Sequence, residues 1–133
     1  MLLLDTHVLL WFREGNNALG RRSRRLLDQA ALRNELAVSA ISFYEIGINV
    51  AKGKVKLNEP VESWRQSGLE AGIGEVGVDS EIALRASELT GISGDPFDRL
   101  IVATADKRGI RLITADSIML EWRGALRRFD ARE

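Results

Sequence analysis

The chain has 133 residues, 45% of them hydrophobic and 29% charged, which suits one soluble globular domain and leaves little room for a second. Lys plus Arg is 19 and Asp plus Glu is 19, so the formal net charge is zero and coating of nucleic acid by bulk charge is excluded, though local basic patches are not. With no cysteine and a single histidine, His7, the sequence excludes disulfides, thiolate metal sites, cysteine nucleophiles, multi-histidine metal sites and RNA cleavage by a histidine pair within one chain.

Leu2-Leu3-Leu4 is a short apolar run that ends at Asp5 and predicts a buried strand. Asp5 and His7 interrupt the run before the core of a signal peptide could form. No apolar stretch approaches the roughly 20 residues that span a bilayer, so a cytoplasmic protein is expected. A short helix is expected over 8–12 and a second over 19–33, where Leu19, Leu26, Leu27, Ala30 and Ala31 have helical spacing. Leu36-Ala37-Val38 predicts a second strand, followed by a helix over 41–52 that ends near Gly53. Pro60 suits the first turn of a helix running to about 71, which Gly68 weakens. A third strand is expected over 73–78, despite Gly74 and Gly77. Asp79 can cap a helix that runs to about Thr90 and stops at Gly91. Asp95-Pro96 opens the next helix, which ends at Gly109; a fourth strand over 111–114 and a short helix after Asp116 follow. The tail from Gly124 is expected to be an edge strand or loose.

Strands alternate with helices, which implies an α/β fold: one domain over 1–133, a three-layer α/β/α sandwich with a central parallel sheet. The strands are near-continuously apolar, as in a sheet covered on both faces.

Ligands of open parallel sheets bind beyond the carboxyl ends of the strands. Asp5 and Asp116 follow the first and fourth strands, Glu45 lies near the start of the helix leaving the second, and Asp98 lies in the first turn of the helix leading to the fourth. Each has a plain structural reading. Asp5 and Asp116 can cap helices, Ser42 and Glu45 have capping-box spacing, and Asp98 is favoured by the helix dipole. Two observations oppose the plain readings. Asp98 shares a helix face with Ile101, Val102 and Ala105, where an unpaired carboxylate is costly. Neither Asp98 nor Glu45 has a Lys or Arg three or four residues away. Acids directed inward without protein cations suggest a bound cation, and oxygen ligands suit Mg²⁺ or Mn²⁺. Such ions support phosphodiester hydrolysis.

Asp5-Thr6 after the first strand, Ser39-Ala-Ile-Ser-Phe-Tyr-Glu45-Ile46, Asp95-Pro-Phe-Asp98-Arg99 and Leu112-Ile-Thr114-Ala-Asp116 together resemble the PIN domain, and within it the VapC-type ribonuclease toxins of toxin–antitoxin pairs. The resemblance runs over essentially the whole chain, and the Asp-Pro-Phe-Asp-Arg block is its most specific piece. It implies a small parallel sheet between helices, an acidic pocket holding Mg²⁺ or Mn²⁺, endonucleolytic RNA cleavage, a homodimer and inhibition by a VapB-type antitoxin. Its four acids fall on Asp5, Glu45, Asp98 and Asp116. Thr6, Thr114 and Ser117 fall where the family often has groups that orient the acids or water. Ser93 stands in place of a histidine, and Thr104 in place of a glutamine, that relatives often carry; neither departure removes an acid.

Several residues keep two readings. His7 is a structural hydrogen-bonding residue beside the site or an RNA contact. Arg99 is a phosphate contact or a tether to a neighbouring acid. Arg21, Arg22, Arg24 and Arg25 form a solvated face or a phosphate-positioning patch, and Lys52, Lys54 and Lys56 carry the same ambiguity. Trp11, Trp64 and Trp122 are scattered and suit core or interface roles. Rival functions are a receiver-like phosphoacceptor domain using Asp79, a silent binding module of similar fold, and a DNA nuclease with the same pocket. The receiver reading lacks its acidic pair, because Thr6 and His7 follow Asp5.

Overall fold

The computed structural model describes residues 1–133. Its elements follow in the order β1 (Leu2–Leu4), α1 (Thr6–Glu14), α2 (Arg21–Leu32), β2 (Leu36–Ser39), α3 (Ala40–Ala51), α4 (Val61–Glu70), β3 (Ile73–Val76), α5 (Ser80–Glu88), α6 (Pro96–Arg108), β4 (Arg111–Thr114), α7 (Ser117–Glu121) and β5 (Arg128–Asp130).

The five strands form one sheet in the order β3-β2-β1-β4-β5, every pair parallel. Leu3 of β1 lies opposite Ala37 on one side and Leu112 on the other. Side chains alternate across the sheet. Leu2, Leu4, Leu36, Val38, Ile73 and Ile113 meet Val8, Leu27, Ile46 and Trp64 on one face. Leu3, Ala37 and Leu112 meet Ile82, Ile101, Val102 and Met119 on the other. Both faces of the sheet centre are thus sealed by helices, which is why β1 and β2 read as apolar runs, while the edge strands β3 and β5 carry Glu75, Arg128 and Asp130. No helix is long and apolar enough to cross a membrane.

Local chemistry sets several boundaries differently from the sequence expectation. The helix expected over 8–12 runs from Thr6 to Glu14, because Asp5 caps it directly and Gly15, at φ 68°, ends it in the left-handed conformation. The helix expected from 19 begins at Arg21 with Gly20 as its cap residue. Gly20 is required there by close approach: a Cβ would lie 2.1 Å from the Glu133 carbonyl carbon. The tail is not loose. Its β5 pairs with β4, and Ala131 beyond it is fully buried.

The chain steps from β1 outward through β2 to β3, then returns to place β4 on the other side of β1. This reversal opens a crevice beyond the carboxyl ends of β1 and β4, where open α/β sheets place their ligands.

Candidate active site

Asp5 leaves β1 at this crevice and is only 3% exposed. Its Oδ1 accepts from the Thr6 amide at 2.8 Å, and its Oδ2 accepts from the Thr114 hydroxyl at 2.7 Å. Its own amide donates to the Ile113 carbonyl at 3.0 Å, so β1 and β4 stay paired up to the acid. The buried Thr114 hydroxyl also accepts from the Asp116 amide at 3.0 Å. One hydroxyl therefore positions two of the acids. Asp116 Oδ1 accepts from the Ile118 and Met119 amides at 2.9 and 3.1 Å and caps α7. The capping readings of Asp5 and Asp116 are thus correct. A carboxylate has about four lone-pair sites, so capping leaves acceptor capacity for a cation.

Glu45 approaches from α3. The capping-box reading fails here: the cap is Ser39, whose Oγ accepts from the Ile41 amide at 3.2 Å. Ser42 lies inside the helix, and its buried hydroxyl accepts from Thr6 at 2.9 Å. Glu45 is therefore a turn further along, half-buried, and released from backbone duty. Burial pushes its pKa up, as do the charges of Asp5 and Asp95, while the Thr6 hydroxyl and His7 pull it partly down.

Asp98 is the third residue of α6, and its side chain accepts no hydrogen bond within the protein. Burial, followed by the charges of Asp95, Asp5, Asp116 and Glu45, raises its pKa to about 7. Four elements thus bring four acids into one electrostatic neighbourhood. Asp95 is a fifth member that the sequence reading took only as a helix start. It caps α6 through the Phe97 amide at 2.8 Å, and its charge acts on both Asp98 and Glu45. Its three-residue spacing from Asp98 was the available signal. No Lys or Arg forms an ion pair with any of the five.

The supporting residues divide. His7 links the first turn of α1 to the loop after β4: Nε2 accepts from the Ala115 amide at 3.2 Å, which leaves Nδ1 to carry the proton, 3.4 Å from Asp5 Oδ2. Its ring also meets Trp11 edge-on at 5.0 Å. Ser117 is exposed at the first position of α7 and makes no side-chain hydrogen bond. Arg99 is neither a free phosphate contact nor a tether to an acid. Its guanidinium donates to the carbonyls of Ala86, Ser87, Leu89 and Ser93 at 3.1, 3.4, 2.6 and 3.3 Å. These are the last turn of α5 and the loop before Asp95, so Arg99 ties that loop to the turn that carries Asp98. Arg99→Met is expected to cost about 1–3 kcal/mol through unpaired carbonyls. Arg99→Lys should recover little, since one ammonium has no planar fork to span four acceptors. Denaturant melts of the three proteins check this.

The donor set is all oxygen and anionic, and lacks any strong protein cation. That chemistry fits a hard divalent ion. As the side chains stand, no three His, Asp or Glu groups gather closely enough to hold an ion. Carboxylates that repel one another and are shared out among amides and hydroxyls are expected to stand apart in this way. A surface cavity of about 690 Å³ lies elsewhere, lined by Thr90, Ile118 and Trp122 among others, and contains none of the acids.

The PIN domain family model matches residues 2–123. The chain is 37% identical over 116 residues to ribonuclease VapC22 of Mycobacterium tuberculosis, covering 86% of each protein. Among solved structures, a chain of VapBC2 from Rickettsia felis bound to a promoter DNA fragment superposes with a TM-score of 0.70 at 19% identity, covering 97% of this chain and 98% of that one. A chain of a toxin–antitoxin complex from Klebsiella pneumoniae gives 0.63 at 21% identity, covering 92% of each. At these identities the solved structures bear on the fold, which they share with the five-stranded parallel sheet seen here. The family match over nearly the whole chain and the identity to a ribonuclease rest on the sequence itself, and together they make this chain a member of the PIN domain family.

Proposed function

We propose that this protein is a metal-dependent endoribonuclease, the toxin of a type II toxin–antitoxin pair, with Asp5, Glu45, Asp98 and Asp116 as the groups that hold Mg²⁺ or Mn²⁺ and the attacking water. The observation that carries the reading is Asp98, half-buried, raised to about 7 by burial and by neighbouring acids, and met by no protein cation. The identity to ribonuclease VapC22 supports RNA as the substrate, and the likeness to toxin–antitoxin complexes supports a VapB-type antitoxin as partner. The assembly proposed is a homodimer bound to that antitoxin.

A bound divalent ion would supply charge neutralisation at the phosphate and a more acidic water. The chain's own residues prepare the rest. Thr114 and the Thr6 amide hold Asp5 in place, and the same hydroxyl sets the Asp116 loop. His7 holds the start of α1 to the loop after β4. Water attacking in line at phosphorus forms a P–O bond, breaks the bond to the 3′ oxygen, which takes the proton, and leaves a 5′-phosphate.

The cellular test is induction in a host followed by mapping of new 5′ ends. Fresh 5′-phosphates at a recurring RNA site are expected for the wild type and not for Asp98→Asn. No new ends would refute the ribonuclease reading. In the antitoxin complex, an Arg or Lys of the inhibitory segment should lie over Asp5 and Asp98, since an uncompensated acidic pocket favours an inserted cation. A structure with that segment docked elsewhere would overturn this part.

A further inference from the structure

The acids that are proposed to cut RNA also repel it, and the net charge of zero gives no general attraction. A phosphate-binding surface should therefore lie near the crevice, and α2 carries the best candidate. Arg21, Arg22, Arg24 and Arg25 occupy four of its first five positions, and its first turn contains no acid. Within the helix this reverses what the dipole favours at an N-terminus, and the one acid that meets this turn, Glu133, comes from the tail.

The topology brings this helix start to the rim of the acidic crevice. Asp5 is bonded to the Thr114 hydroxyl at 2.7 Å, the Thr114 carbonyl accepts from the Ala131 amide at 2.9 Å, and the Ala131 carbonyl accepts from the Gly20 amide at 2.9 Å. Three hydrogen bonds thus connect the pocket to Gly20, the residue that opens α2. β5 lies two strands from β1, about 10 Å at the usual strand spacing, and all strands end on the same rim.

Most of the guanidinium charge there is unspent. Arg22 pairs with Glu133 at 3.2 Å, but Arg21, Arg24 and Arg25 form no ion pair, although Asp28 lies within a turn of the last two. Arg24 only reaches the Asn16 carbonyl at 3.4 Å, and Arg21 and Arg25 are exposed. The amides of Arg22 and Ser23 are already taken by the main-chain oxygen of Glu133, so an anion here would be met by side chains and not by the helix end. We infer that Arg21, Arg24 and Arg25 form a subsite for the phosphates of a single-stranded RNA whose scissile bond lies in the acidic crevice. This rests on the ribonuclease reading and adds to it where the strand runs. The contacts are to phosphate, so they position the RNA without reading its sequence.

The test is fluorescence anisotropy of a labelled single-stranded RNA oligonucleotide without divalent ions, across a salt series. The triple variant Arg21→Gln, Arg24→Gln, Arg25→Gln should bind at least about tenfold more weakly at low salt. Its log–log salt slope should fall by about 2, at roughly 0.7 per lost phosphate contact. The corresponding triple lysine variant should stay within a few-fold of wild type, because a point charge suffices for phosphate. Thermal melts should show the glutamine variant folded as well as wild type. Unchanged affinity and slope in a wild type that cleaves RNA would overturn the subsite and leave the ribonuclease reading standing. So would intact RNA binding with lost antitoxin binding, which would assign the patch to an acidic protein segment. A wild type that neither binds nor cleaves RNA would overturn both.

Discussion

Asp98→Asn is expected to lower RNA cleavage by at least on the order of a hundredfold while making the metal-free protein more stable at neutral pH. The stability half follows from the direction of the pKa shift. The Asp98 carboxyl is raised to about 7 in the folded chain, above its ordinary value of 3.8. The folded state therefore holds this proton more tightly than the unfolded state does. Wild-type stability should fall as pH climbs from about 4 to about 7, and stay low above that, for as long as no cation is present. Asparagine mimics the protonated form and has no such loss. The two proteins should melt alike near pH 4 and diverge by about 1–3 kcal/mol near pH 8, the upper limit being reduced by solvent at a half-buried site. A variant that cuts RNA at the wild-type rate would remove Asp98 from the site, and one that fails to fold would place it in the scaffold.

Thr114→Val should damage both fold and function. Valine fills the same space but neither donates to Asp5 Oδ2 nor accepts from the Asp116 amide. Losing a buried hydrogen bond to a charged group costs about 1.5–3 kcal/mol. Two acids would also lose their common support, and removal of a group that orients a ligand typically costs about 10–100-fold in metal affinity or activity. Thr114→Ser keeps the hydroxyl and should retain most of both properties. Urea melts and a Mn²⁺ cleavage assay on the three proteins separate the two effects. Equal melts of valine and serine variants would show that the hydroxyl contributes nothing to stability.

The layered architecture was legible because the central strands β1 and β2 are short, buried and almost wholly apolar runs and because Asp79, Asp95 and Asp116 announce the helices they cap. The limits of legibility lie where contacts join distant parts of the chain. Ser39 and Ser42 both suit a helix start. The choice between them is decided by Thr6, 36 residues away from Ser42, whose hydroxyl engages it. Neither sequence reading of Arg99, a phosphate contact or a tether to an acid, names its acceptors, because these are backbone carbonyls, which any sequence supplies. The extra acid Asp95 was hidden by its own capping role: a carboxylate that satisfies a local rule can still act on Asp98 through space. The bond between Asp5 and Thr114 spans 109 residues and becomes visible only once β1 and β4 are neighbours.

If these carboxylates hold a divalent ion and cleave RNA, cleavage and stability both depend on the ion. This dependence is tested most directly by incubating the purified protein with a single-stranded RNA in Mn²⁺ and in EDTA, and melting the same preparations. Cleavage to 5′-phosphate ends is expected in Mn²⁺ alone, together with a rise in melting midpoint on adding millimolar ion that Asp98→Asn greatly reduces. Cleavage that persists in EDTA, or a midpoint that ignores the ion in the wild type, would contradict this dependence.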